Sequence, residues 1–169
     1  MAYTPINPIL GIQPIAATST TKNHSLGFQV DAYDSTFGSG TFIYLAGVAN
    51  TVVGNIVGYD QDLGTTTLAP ITTTGLNIPL AVAMSANVAS SYGWYQVRGA
   101  AVIKKTAVAV VPGPVPLFLS ATAGRVMPTA AAGREVLNAT VVTNAATVAS
   151  TVSTIVAQIA YPFAQGQIT

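Results

Sequence analysis

Catalysis needs side chains that attack, titrate or coordinate, and the chain brings few of them together in sequence. It has one histidine, His24, and no cysteine, so a thiolate nucleophile, a disulfide framework and a Cys-based zinc site are all excluded. His24 follows the polar run Thr18-Ser19-Thr20-Thr21-Lys22-Asn23, and no Ser-His-Asp pattern surrounds it. Gly38-Ser39-Gly40 lacks the Gly-x-Ser-x-Gly spacing of a nucleophile elbow and reads as a turn. His24 is therefore expected at the solvent or in an assembly contact.

The carboxylates fall into two local pairs, Asp31 with Asp34 and Asp60 with Asp62, plus Glu135. Asp60-Gln61-Asp62-Leu63-Gly64 alternates acidic oxygens ahead of a glycine, as a calcium loop does, but lacks the further oxygen ligands and the terminal Glu. A plain turn is the better expectation. Asp31 and Asp34 are close in sequence, which says nothing about the separation a glycosidase needs across a sugar. Asn23-His24-Ser25 and Asn138-Ala139-Thr140 match glycosylation sequons, which matter only in a secreted eukaryotic protein. No catalytic residue, metal site or cofactor is expected.

Aromatics offer more. In Tyr92-Gly93-Trp94-Tyr95-Gln96-Val97-Arg98-Gly99 a strand places Tyr92, Trp94, Gln96 and Arg98 on one face. Trp, Tyr and Arg are enriched at the centres of interfaces, and a Trp beside Arg and Gln also suits sugar stacking. Trp94, Tyr95 and Arg98 are thus candidate binding residues, with core packing of Trp94 the competing reading.

These residues are carried by short β-prone runs separated by Gly, Pro and Asn, at residues 41–48, 51–58, 65–71, 80–84, 92–98, 100–104, 116–119, 136–143 and 151–161. The first two read as a hairpin turning at Ala49-Asn50. In the last run Ile155, Ala157, Ile159 and Tyr161 share a face. Asn144 to Ser150 offers a weak helical alternative, opposed by Thr147, Val148 and Thr151. Gly124 and Gly133, each followed by an Arg, predict two similar turns. The expected architecture is all-β: a small antiparallel barrel or sandwich over residues 31–169 with an extended N-terminal arm over residues 1–30. In the arm, Pro5, Pro8, Gly11 and Pro14 oppose regular structure. Its apolar residues Ile6, Ile9, Leu10, Ile12 and Ile15 oppose disorder. They are candidate interface residues, lying on the chain's own barrel or on a neighbouring subunit.

Composition narrows the partners. Of 169 residues 50% are hydrophobic and only 7% charged, with a formal net charge of +1, so little repulsion keeps copies apart and self-assembly or docking on a large partner is favoured. Lys22, Arg98, Lys104, Lys105, Arg125 and Arg134 are scattered, which excludes a basic groove for nucleic acid. The apolar stretch 107–119 is interrupted by Pro112, Pro114 and Pro116 and falls short of the roughly 20 residues needed to span a bilayer. The N-terminal residues carry no basic, apolar signal pattern, so synthesis in a cytoplasm is expected.

Three segments together resemble small virion proteins of tailed bacteriophages, the head decoration or cement group included: residues 92–102, the Pro/Gly turn and Leu-x-Leu strand of 111–119, and Thr122-Ala123-Gly124-Arg125-Val126. The ending Ala160-Tyr161-Pro162-Phe163 fits the same order. The resemblance spans residues 40 to 165 and leaves the arm aside. It implies a non-enzymatic β protein on the exterior of an icosahedral capsid, often a homotrimer, that clamps neighbouring major capsid protein subunits. It transfers no individual binding residue. A carbohydrate-binding or host-attachment module, stacking sugars on Trp94, Tyr95 and Arg98, is the alternative.

Overall fold

The computed structural model describes residues 2–6, 11–68, 77–143 and 146–166; these form an all-β, sandwich-like fold with no helix among them. The strands are β1 (Thr4–Pro5), β2 (Thr18–Ser19), β3 (Gln29–Asp34), β4 (Gly38–Ala46), β5 (Ile56–Tyr59), β6 (Thr66–Leu68), β7 (Leu80–Ala83), β8 (Tyr92–Lys104), β9 (Gly113–Leu119), β10 (Val126–Met127), β11 (Glu135–Thr143) and β12 (Thr154–Ala164). All their pairings are antiparallel, and the main path β1-β3-β4-β8-β12-β11-β9-β10 stays open rather than closing into a barrel.

β8 is the spine. Its 13 residues extend about 43 Å at ~3.3 Å per residue. β4 runs along one edge, while β2, β7 and β12 follow one another along the other: Tyr92 pairs with Ala46 and Ser19, Gln96 with Phe42 and Val82, Arg98 with Thr41 and Ala160. Residues 92–98 and 100–104 are therefore one strand and not two. Gly99 makes this possible by bending the strand at φ +103° beside a register shift, rather than ending it.

Three apolar clusters fill the layers. Phe42, Tyr44 and Trp94 face one side with Val30 and Ala32; Ile43, Leu45, Tyr95 and Val97 face the other, against Val57, Tyr59, Ala81 and Ala83 of β5 and β7. The far side of β5 and β7, with Ile56, Leu80 and Val82, packs on Ala101, Ile103, Leu117, Val141, Ile155, Ala157 and Ile159. β5 and β7 are buried at every position. β4 is likewise covered on both faces from Gly40 to Leu45, as its continuous run of apolar residues allows.

Several expectations change. β4 makes its hairpin with β3, not with the 51–58 run. The reason is local: Asp34 Oδ1 accepts the Thr36 and Phe37 N–H groups at 2.8 and 3.0 Å, and Gly38 takes φ +75°. Asn50 does turn the chain, at φ +68°, but into a loop. In β12 the alternation holds through Ile159 and then breaks, because Tyr161 sits at φ +52° and is exposed, shifting Pro162 and Ala164 inward. The Gly124 and Gly133 turns form as expected, at φ +70° and +71°, each closed by the following arginine's N–H on a carbonyl three residues back. Residues 146–150 are not helical; Val148 bridges Val110. Asn144 and Ala145, like residues 69–71 of the third run, lie outside the described residues.

At Gly99 an added Cβ would lie 2.6 Å from the Ser39 carbonyl oxygen, and the positive φ is itself unfavourable for a side chain. Gly99→Ala is expected to cost roughly 1–3 kcal/mol. Urea unfolding should show a lower midpoint with an unchanged slope.

Candidate functional site

The aromatic face of β4 and β8 is closed by the N-terminal segment of the same chain. Tyr3 and Ile15 are buried there, and Ile12, Leu26 and Phe28 pack against them. Polarity fixes the segment's position. Trp94 Nε1 donates to the Gln13 carbonyl at 2.9 Å, and Gln13 Oε1 accepts from the Tyr44 hydroxyl at 3.0 Å and from Asn23 Nδ2 at 2.9 Å. Gln13 Nε2 donates to the Ala17 carbonyl at 2.8 Å, and its backbone N–H donates to His24 Nε2 at 3.1 Å. A buried glutamine is tolerated because each of its polar groups is matched. Nearer the terminus, the Tyr3 hydroxyl donates to the Ala100 carbonyl at 3.1 Å, and burial pushes its pKa up. Asp34 Oδ2 accepts the Ala2 N–H at 2.7 Å.

This closure relocates the sequence candidates. Trp94 and Tyr95 are fully buried, on opposite sides of β8, and Ile15 is 2% exposed. They are core residues, not surface contacts, and no sugar-stacking platform of Trp94, Tyr95 and Arg98 exists. Burial pushes the Tyr95 hydroxyl up to about 12, and Asn87 Nδ2 donates to it at 2.9 Å. Ile12 is half-buried against the aromatic cluster, Ile6 and Arg98 are exposed, and Ile9 and Leu10 lie outside the described residues. His24 is half-buried rather than free at the solvent: its ring lies 5.0 Å from Tyr44, 5.4 Å from Trp94 and 5.8 Å from Phe28. Asp60 caps its own turn, accepting the Asp62 and Leu63 N–H groups at 2.9 Å, as the turn reading requires.

Two surfaces stand out among the described residues. The outer side of β8, β12, β11 and β9 carries the row Pro116, Thr140, Gln158 and Ala100, and beside it Pro114 with Val142 and Val156 with Val102. None of these side chains is charged; Val142 is 57% and Val156 36% exposed, and both line a shallow cavity of about 300 Å³ with Phe37 and Gln158. The second surface is a polar groove across β3, β4, β8 and β12, lined by Gln29, Val30, Asp31, Thr41, Arg98 and Tyr161. Sequence reading missed Gln13 and this groove. A lone glutamine inside an apolar, proline-spaced segment is a signal that could have flagged the first; the second is assembled from strands far apart in the chain.

Comparison with protein-family models, with curated proteins and with solved structures finds no match to this chain.

Removing the segment should expose the chain's single tryptophan. Deleting residues 2–15 is expected to red-shift Trp94 fluorescence and lower the melting temperature. Gln13→Leu, which leaves the Tyr44 hydroxyl and Asn23 amide without their acceptor, should cost roughly 1–3 kcal/mol. A pH effect follows from Asp34, whose carboxyl is held below the usual carboxylate range chiefly by the Thr36 N–H and also by those of Ala2 and Phe37, against the opposing effect of desolvation. Its contribution is present above the ordinary carboxylate range and lost as pH falls through the lowered value. Amide shifts of Ala2, Thr36 and Phe37 should move together on acidification, and Asp34→Asn should show the displaced shifts at neutral pH.

Proposed function

We propose that this protein is a structural virion component: a decoration or cement protein that binds the exterior of a tailed-phage capsid after assembly in the host cytoplasm. There it clamps neighbouring major capsid protein subunits, as a homotrimer, without catalysing a reaction. The observation that carries this reading is the middle of the outer face of β8, β12, β11 and β9, which between Lys104 at one end and Glu135 at the other projects valines, prolines and small polar residues into solvent. Docking such a face requires little desolvation of ions, and many copies, each burying about 800 Å² per partner, stabilise a shell additively.

The adjoining edge supports face-on contact. β9 pairs with β11 along residues 113–116, and Pro114 and Pro116 occupy the positions whose N–H groups would point away from β11. Prolines there remove outward donors and oppose strand addition at that edge. The resemblance of residues 92–102, 111–119 and 122–126 to decoration proteins points the same way. With Ile12 and Ile15 packed on their own chain, the sheet face rather than the arm is the clamp.

Val142→Lys with Val156→Lys places two charges on this face. Because both positions are exposed, stability should change by about 0.5 kcal/mol or less at each. Mass spectrometry and electron microscopy of particles purified from the producing culture should find the parent protein in stoichiometric copies on the shell and the double variant depleted. Absence of the parent protein from particles, or full occupancy by the variant, would overturn the reading.

A further inference from the structure

Among the described residues, the non-glycine positions with positive φ are Asn50, Asn77, Ser90, Asn138 and Tyr161. Asn adopts this conformation readily and Ser is small, whereas a bulky aromatic there is an outlier. Tyr161 gains no core burial in return, since it is 48% exposed. The φ turns Pro162 and Ala164 inward, a task glycine or asparagine would perform with less strain, yet the position carries a large ring that faces solvent.

The ring stands at the polar groove, a space of about 240 Å³. Its hydroxyl donates to Gln29 Oε1 at 3.3 Å, which fixes the ring against β3. The floor is set by register: Asp31 pairs with Thr41 and Thr41 with Arg98, so the three sit side by side on adjacent strands. Two strand steps separate Asp31 from Arg98, about 9–10 Å between their backbones. The Thr41 hydroxyl donates to Asp31 Oδ1 at 2.6 Å, which leaves the second carboxylate oxygen as an acceptor. In a chain with only 7% charged residues, an acid and a base thus flank one opening, with an exposed aromatic at its end.

From this we infer that the groove is a binding subsite for one sugar ring of a surface glycan. A pyranose has an apolar C–H face suited to stacking on Tyr161 and a rim of hydroxyls that both donate and accept. Asp31 accepts from one part of that rim, and Arg98 and the Gln29 amide donate to another. The groove is smaller than the ~300–1,000 Å³ of cofactor-sized pockets, which limits the occupant to about one ring. Neutral sugars fit best, because a carboxylated sugar would meet Asp31 as well as Arg98. The subsite adjoins the face proposed for shell binding along β8 and β12 but shares no lining residue with it, so the Tyr161 and Arg98 variants test glycan recognition apart from the Val142 and Val156 variants that test shell binding.

The test is nitrogen-15 NMR of the full chain titrated with methyl α-glucoside, methyl α-galactoside and methyl α-mannoside, with glucuronic acid as the charged comparison. At least one neutral glycoside should give saturable shifts at the amides of Gln29, Asp31, Thr41, Arg98 and Tyr161. Tyr161→Gly relieves the backbone strain, so it should melt no lower than the parent yet bind at least ten-fold more weakly. Should that variant not fold, Tyr161→Asn, also at ease at positive φ, carries the same test. Arg98→Ala, at an exposed position, should weaken binding several-fold without altering melting. The inference is overturned by an absence of saturable shifts with all three neutral glycosides, by shifts mapping away from the groove, or by equal affinity in the Tyr161 variant.

Discussion

Because β4 and the first half of β8 are buried on both faces, the molecule needs a cover on each side of the same strand pair. β5 and β7 supply one cover and the N-terminal segment the other. The second is the more demanding, since its prolines limit it to short pairings, β1 on β3 and β2 on β8. Between them it is held by side-chain polar contacts, chief among them the Trp94 indole on the Gln13 carbonyl. A tryptophan buried this deeply needs a partner for its N–H, and here that partner is the segment that buries it. Packing of the aromatic face and ordering of the N-terminal segment are therefore one event.

The same arrangement distributes charge. Two-sided burial of the central strands confines charged residues to turns, strand ends and the groove: Asp60 and Asp62 lie in the turn after β5, Arg125 and Arg134 follow the Gly124 and Gly133 turns, Lys104 ends β8 and Glu135 begins β11. Lys105 is the exception, 1% exposed, with its ammonium group donating to the Thr106 and Val108 carbonyls at 3.2 and 2.8 Å. It serves the loop leaving β8 rather than the surface. The middle of the broad outer sheet is left to uncharged side chains by this partition.

The all-β class was legible because Gly, Pro and Asn punctuate β-prone runs throughout the chain, and the two Gly-Arg turns were legible because positive φ is a local demand. Partnership between strands was not. The run at 41–48 does not by itself show that both of its faces are covered, yet Ile43 and Leu45 are as buried as Phe42 and Tyr44. Only the sheet order, which joins residues separated by dozens of positions, decides that. Trp94 was the hardest residue to place, because a large aromatic with a polar tip suits a core and an interface equally. What settles it is a cover some 80 residues earlier, in a segment whose composition fits an arm on its own barrel and an arm on a neighbouring subunit equally. His24 was misplaced for the same reason: its polar sequence neighbours face solvent while its ring meets Tyr44, Trp94 and Phe28.

The two open surfaces follow opposite physical rules, and that contrast bears on how one small domain can carry both. The uncharged face gains from area: each apolar contact adds a little, no position dominates, and the proline-blocked edge of β9 keeps association to the face. The groove gains from placement, since a few polar groups at fixed separations select an occupant only if the strands beneath them are rigid. Asp31, Thr41 and Arg98 acquire that rigidity from pairing on consecutive strands directly over the Gly99 bend. The bend that lets β8 serve two layers therefore also sets the spacing of the groove, so the strand that organises the fold places the groove's polar side chains as well.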